Sequence, residues 1–233
     1  TGMGDAAELC ASECNFTRDM QDEYTIESYQ RAQEAQKNGW FSAEIVPVTV
    51  AGRKGDVIVD TDEEPMKVNF DKLKTLKPAF KKDGTVTAAS SSSINDGAAA
   101  IVLASEAALT VHDCEPMARI IAQASFAQDP MWFTTSPVEA IKNVVAKAGL
   151  KLDDIDLFEI NEAFAVVALA AKQQLGIPRE KINVQGGAVA LGHPIGASGA
   201  RILTTLLYSL KRQGKKYGLA TLCIGGGEAS AVV

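Results

Sequence analysis

The sequence predicts an α/β fold in which helices are layered against a mostly parallel sheet. Three observations carry that expectation. From residue 98 onward, short apolar runs alternate with longer periodic stretches, as strands and helices do in a layered domain. The run Ala98-Ala99-Ala100-Ile101-Val102-Leu103-Ala104 has the unbroken apolar character of a strand buried on both faces. The stretch 198–213 sets Ile202, Leu203, Leu206, Leu207 and Leu210 on one helical face.

Taken in order, Ala6 to Cys14 reads as a short helix with Cys10 and Cys14 one turn apart on one face. Thr17 then suits a helix N-cap, acidic residues follow, and Gly39 stands where a glycine would stop that helix. Residues 44–60 carry a hairpin pattern: Ile45-Val46, a turn at 52–55, and Val57-Ile58-Val59. Residues 60–97 are charged, then serine-rich, and read as loop with one short helix around Phe70 to Leu76. After the run at 98–104 come strand 119–124, helix 137–148, strand 155–160, helix 163–175, strand 182–185, helix 198–213 and strand 218–224. A glycine turn and a last short strand close the chain. A strand buried on both faces needs two neighbours, and nothing before residue 98 supplies one of that kind. The sheet holding 98–104 is therefore expected to be completed by residues outside this chain.

Composition narrows the function. A chain of 233 residues, 46% hydrophobic, can bury one large core or two small ones. A net charge of −6 argues against nucleic acid as the main partner. No apolar run approaches the roughly 18 residues of a membrane helix, and no basic, apolar leader opens the chain. Thr1-Gly2-Met3-Gly4 is no natural translation start, so the N-terminus reads as cut or processed. Cys10, Cys14, Cys114 and Cys223 lack the spacing of a secreted disulfide framework, and two histidines argue against zinc. A reducing compartment is expected, the cytoplasm or, in a eukaryote, the mitochondrial matrix.

The residues able to do chemistry sit late in the chain. Cys223 ends an apolar strand and precedes Gly225-Gly226-Gly227, whose backbone N–H groups could face an oxyanion. A thiol so placed suits a nucleophile or an acid–base group; the plainer alternative is a small buried hydrophobe. His193 lies in a glycine-rich loop before the 198–213 helix, near its positive end, which favours the neutral ring. Asn161 follows an apolar strand, at the carboxyl end where α/β sites form, and is either a polarising amide or a helix N-cap. Glu162 reads equally as a first-turn charge favouring the helix dipole. His112 and the Cys10–Cys14 pair read as structural.

Asn161-Glu162-Ala163-Phe164, Gly192-His193-Pro194-Ile195-Gly196-Ala197-Ser198-Gly199 and Cys223-Ile224-Gly225-Gly226-Gly227 occur in that order, with spacings of 32 and 30 residues from Asn161 to His193 to Cys223. With Ala32 to Val48, Asp83-Gly84-Thr85-Val86-Thr87-Ala88 and Asn95-Asp96-Gly97-Ala98-Ala99, they make the chain resemble the thiolases, in the acetyl-CoA acetyltransferase branch. The resemblance implies a thiolase-like layered α-β-α fold, with residues 1–94 part of an inserted loop domain, 95–116 the last strand and helix of the N-terminal domain, and 117–233 the C-terminal domain.

It also implies that two acetyl-CoA condense to acetoacetyl-CoA and CoA, or the reverse, through an acyl-cysteine that this chain lacks. By resemblance His193 activates that cysteine and, with a water on Asn161, receives the enolate oxygen. Cys223 moves the α-proton, and the Gly225 N–H contributes a second oxyanion hole. Met3, Phe80, Ala88, Ser92, Ile94, Phe133, Ala163 and Phe164 match positions lining the pantetheine and acyl pocket, and Lys67 stands near a contact to the CoA phosphates. Coenzyme A would be a substrate moiety, with no cofactor or metal, and the full-length protein a homodimer or tetramer. Gly2, Ser93 and Glu228 depart from common family residues. Two other readings remain: a ketoacyl-synthase-like condensing enzyme, whose extension site uses two histidines, and a non-catalytic CoA-binding or assembly module.

Overall fold

The computed structural model describes residues 2–233; Thr1, read above as part of a processed start, lies outside them. The chain begins with α1 (Met3–Glu13), whose buried face holds Ala6, Ala7, Cys10 and Ala11. Glu8 on that face accepts the Thr85 and Val86 N–H groups at 2.9 Å, tying α1 to the following loop. Then comes α2 (Arg18–Lys37), with the Thr17 hydroxyl accepting the Met20 N–H at 3.2 Å as expected of its cap. Its buried face is unusually polar, with Gln21, Asp22, Thr25 and Ser28 beside Tyr24, Ala32 and Ala35. The hairpin β1 (Val48–Val50) and β2 (Val57–Val59) pairs antiparallel, so its first strand lies later than Ile45-Val46. Short helices α3 (Glu64–Lys67) and α4 (Phe70–Leu73) follow, then α5 (Glu106–His112).

The remainder is β3 (Gln123–Ala127), α6 (Ser136–Lys147), β4 (Leu157–Ile160), α7 (Ala165–Leu175), α8 (Ala188–Leu191), α9 (Ser198–Gln213), β5 (Gly218–Ile224) and β6 (Glu228–Val232). The last four strands form one sheet in the order β3-β6-β5-β4. Residues of α6 and α7 make the main core with one face: Ile141, Val144, Val166 and Val167 cluster with Phe158, Ile160, Leu219 and Cys223. On the other face Leu206 of α9 packs with Leu157 and Ala220, flanked by Ile202, Leu203 and Leu210. This is the expected helix–sheet–helix layering.

Three expectations are corrected. The sheet is not mostly parallel: β4–β5 is parallel, but β5–β6 and β3–β6 are antiparallel. The glycine turn after β5 is too short for a crossover, so it can only reverse the chain as a hairpin, whereas β4 and β5 are joined through α7, α8 and α9. Residues 98–104 form no strand, and Val102 and Leu103 are 93% and 73% exposed. Strand backbone needs ladder partners, and none of the described residues provides them. Residues 182–185 form no strand, and their pairing with the sheet is an isolated bridge from Ile182 to Phe158. Asn183 breaks that ladder with φ of 45°, and its side chain takes over the pairing. The Asn183 amide donates to the Ile160 carbonyl and its oxygen accepts the Ile160 N–H, both at 2.8 Å.

Val102, Leu103, Val111, Ile120 and Ile121 leave an exposed apolar stretch, and burying one such side chain is worth about 1.5–3 kcal/mol. The purified chain is expected to self-associate, and Val102→Glu combined with Leu103→Glu to shift sedimentation velocity profiles toward monomer. A wild-type chain that stays monomeric at high concentration would contradict this.

Candidate active site

The parallel pairing of β4 with β5 delivers the first candidate side chain. Ile160 pairs with Thr221, and the Asn161 N–H continues the ladder to the Thr221 carbonyl at 3.0 Å. Asn161 is therefore fixed at the carboxyl end of β4 and is 2% exposed. It is not a helix cap, because Phe164 holds the N-cap position of α7. Its carboxamide nitrogen lies 3.4 Å from Nε2 of His193.

His193 is held from both sides of its backbone. Its N–H donates to the Ser93 carbonyl at 2.9 Å, while Arg201 donates to the Gly192 carbonyl at 2.8 Å. Gly192 has φ of +88°, and a Cβ there would lie 2.1 Å from the Asn95 amide oxygen, so only glycine fits. Nδ1 of His193 lies 2.5 Å from the Ser198 hydroxyl, which is 3.0 Å from the Pro194 carbonyl. These contacts assign the protons. The Asn161 nitrogen can only donate, so Nε2 accepts; the neutral ring then carries its hydrogen on Nδ1, donates to Ser198, and Ser198 donates to Pro194. Burial, followed by the nearby Arg201 charge, lowers the His193 pKa from its ordinary value and keeps the ring neutral. Nε2 thus offers a lone pair.

Cys223 lies two residues beyond Thr221 on β5, about 7 Å along the strand. It belongs to the buried cluster that contains Phe133, Ala163 and Phe164. Burial pushes its thiol up to about 12. The glycine turn that follows is braced: the Gly227 carbonyl accepts the Ser136 hydroxyl at 2.7 Å and the Gln128 N–H at 3.0 Å. At Gly227, φ is +95° and a Cβ would lie 2.3 Å from the Gln128 carbonyl oxygen. Gly225 opens onto a cavity of about 290 Å³ that Met3 and Phe133 also line.

The remaining expected positions fall into two groups. Phe80, Phe133 and Phe164 form a chain of edge contacts, with ring centroids 5.9 Å apart for Phe80–Phe164 and 6.3 Å for Phe133–Phe164. Ser92 donates through its hydroxyl to the Ala163 carbonyl at 2.9 Å, and Ile94 bridges His193 while leaving its side chain exposed. Ala88 is also exposed. Lys67 stands apart in its contacts: its ammonium pairs with Glu63 at 2.9 Å and Glu64 at 3.0 Å on exposed α3. Among the described residues, no cluster of His, Cys, Asp or Glu could hold a metal ion, and no helix is long and apolar enough to cross a membrane.

Comparison with known proteins decides the family. Residues 1–107 match the N-terminal thiolase domain and residues 114–233 the C-terminal thiolase domain. The chain belongs to the thiolase family. It is 52% identical over 235 residues to acetyl-CoA acetyltransferase 2 of Arabidopsis thaliana, covering 100% of this chain and 58% of that protein. The crystal structure of the Bacillus anthracis acetyl-CoA acetyltransferase superposes with a TM-score of 0.96 at 43% identity, covering 99% of this chain and 59% of that one. The Acat5 thiolase from Ascaris suum in complex with coenzyme A gives 0.94 at 45% identity, covering 100% and 59%. This thiolase chain spans 56% to 58% of the length of such curated relatives.

Within this thiolase chain, sequence reasoning did not single out Ser198, Arg201, Gln128 or Ser136. Ser198 was visible inside the glycine-rich segment, five residues from His193; the other three carry no local signal. Two measurements check the site. Nitrogen-15 spectra of the His193 ring at neutral pH should show Nδ1 protonated and Nε2 bare, with Ser198→Ala giving a tautomer mixture; a dominant Nε2–H form in the wild type would refute the assignment. Iodoacetamide should modify exposed Cys114 first. Cys223, mostly thiol at pH 8, should react slowly, at a rate still climbing above pH 10 rather than levelling near the ordinary thiol value of about 8.5.

Proposed function

We propose that this chain is the acid–base portion of an acetyl-CoA C-acetyltransferase, which condenses two acetyl-CoA to acetoacetyl-CoA and CoA or runs the reverse thiolysis. The observation that carries the reading is the Asn161–His193 contact at the end of β4, next to the strand that bears Cys223. In this reading the acyl-carrying cysteine belongs to the part of the relatives' length that this chain does not span. Two of the other three thiols are poor substitutes: Cys10 is buried, with burial pushing it up to about 12, and exposed Cys114 donates to the His112 carbonyl.

His193 then works in two stages. Its bare Nε2 takes the proton of the acyl-accepting thiol, and the protonated nitrogen can afterwards donate to the enolate oxygen together with a water on Asn161. Cys223 moves the α-proton. A thiolate formed in that apolar setting is poorly solvated and therefore strongly basic, which suits a reluctant carbon acid. The Gly225 N–H faces the acyl oxygen, and Met3 with Phe133 closes the cavity around a short acyl group. The full-length enzyme is proposed to be a homodimer or tetramer.

Radiolabelled acetyl-CoA is expected to leave the chain alone unacetylated. Mixed with the separately made upstream portion, the chain should restore acetoacetyl-CoA thiolysis, and Cys223→Ala should lower kcat by about 10²–10⁴-fold. Stoichiometric acetylation of the chain alone, or full activity of Cys223→Ala in the mixture, would overturn the reading. Calorimetric CoA binding by a mixture that never turns over would favour a CoA-binding module instead.

A further inference from the structure

Glu162, which the sequence suggested as a first-turn charge, is fully buried and lies ahead of the Phe164 cap of α7 rather than in its first turn. Four donors from three separate segments converge on its carboxylate. Tyr24 and Ser28 of α2 donate their hydroxyls at 2.7 and 2.8 Å. Asn183 donates its amide at 2.8 Å, and the Val189 N–H of α8 donates at 3.1 Å. Ser28 in turn accepts the Gly187 N–H at 3.0 Å, and a Cβ on Gly187 would collide with the carboxylate. Glu162 directly follows Asn161, while α8 ends at Leu191, two residues before His193. One side chain therefore fixes the backbone beside the amide and the segment that leads to the imidazole. It also anchors both to α2, which lies in the part matching the N-terminal thiolase domain.

We propose that Glu162 is a positioning residue that sets the Asn161–His193 separation and couples it to α2. The carboxylate is hard to replace. Asn183 and Val189 donate to different oxygens, Oε1 and Oε2. Neither can reverse its polarity: Val189 offers a backbone N–H, and the Asn183 amide is locked by its two bonds to Ile160. Glutamine at this position would set its NH₂ against one of these donors in either orientation, leaving a buried N–H unpaired. Aspartate would withdraw the acceptor by one methylene. Tyr24→Phe is milder, removing one donor and leaving three.

The chain's two histidines, His112 and His193, make the test clean. In histidine-labelled Glu162→Gln, the His193 ring signals and titration midpoint should move while the ring signals of exposed His112 stay in place; Tyr24→Phe should shift His193 less, in the same direction. Should circular dichroism find Glu162→Gln unfolded, Tyr24→Phe decides alone. A folded variant of either kind with His193 at its wild-type positions overturns the proposal. The catalytic consequence rests on the acetyl-transfer reading: in the mixture with the upstream portion, Glu162→Gln should lose about a hundredfold in kcat with KM for acetyl-CoA nearly unchanged. A loss confined to KM would also overturn it. A wild-type mixture without activity counts against the acetyl-transfer reading alone, because the spectroscopic result needs no turnover.

Discussion

The parallel register of β4 against β5 is the constraint on which the site depends. Because Ile160 pairs with Thr221, the last ladder bond falls on the Asn161 N–H, and the amide emerges where the strand ends. Two residues further along the neighbouring strand stands Cys223. Parallel strands end together at one edge of a sheet, so a single register places two candidate groups from segments about sixty residues apart in sequence. The third group, His193, arrives differently. It is carried by a loop clamped between the Ser93 carbonyl and the Arg201 side chain, and its position depends on an isolated bridge and side-chain bonds rather than on a strand ladder.

That difference explains what the sequence revealed. The elements governed by local rules were legible: the Thr17 cap, the 198–213 helix ended by Gly214, and the strand 218–224 all lie where periodicity and capping place them. Residues 98–104 were read from apolarity as a strand, but apolarity states only that a segment needs covering. Whether a strand forms depends on partners that the described residues do not supply. Asn183 shows the opposite failure. Its run looked like strand, yet one left-handed residue moved the hydrogen bonding from backbone to side chain. At the site, Asn161, His193 and Cys223 stood out because they lie in short segments dense in glycine or at strand ends. Ser136 and Gln128 did not, since what ties them to the site is a bond each makes to the Gly227 carbonyl, far away in sequence.

The shell around the site is polar to a degree that packing alone would not favour. Burying Glu162, Asn183, Ser28 and Tyr24 together costs desolvation, and an apolar cluster of similar volume would be no less stable. What the polar shell adds is direction. Each of its hydrogen bonds has one donor and one acceptor in a fixed orientation, so the shell tolerates little sliding of α2 or α8 against β4. A site that must hold an amide nitrogen 3.4 Å from a ring nitrogen needs that intolerance more than it needs extra stability.

Two carboxylates three residues apart on the same strand end illustrate how this shell divides its electrostatics. Glu162 receives four donors. Glu159 faces the other side of β4, toward α9, and lines a small cavity together with Asn161, Ser198, Arg201 and Thr205. Burial pushes its carboxyl well above the usual range, and the charges of Glu162 and then Glu44 push in the same direction. Both effects disfavour the charged form of Glu159. Were it ionised, a negative charge on the far side of Ser198 would favour the imidazolium and fill the Nε2 lone pair with a proton. Glu162 gathers four hydrogen-bond donors, whereas burial disfavours a charge on Glu159, and that division works against protonation of the nearby ring.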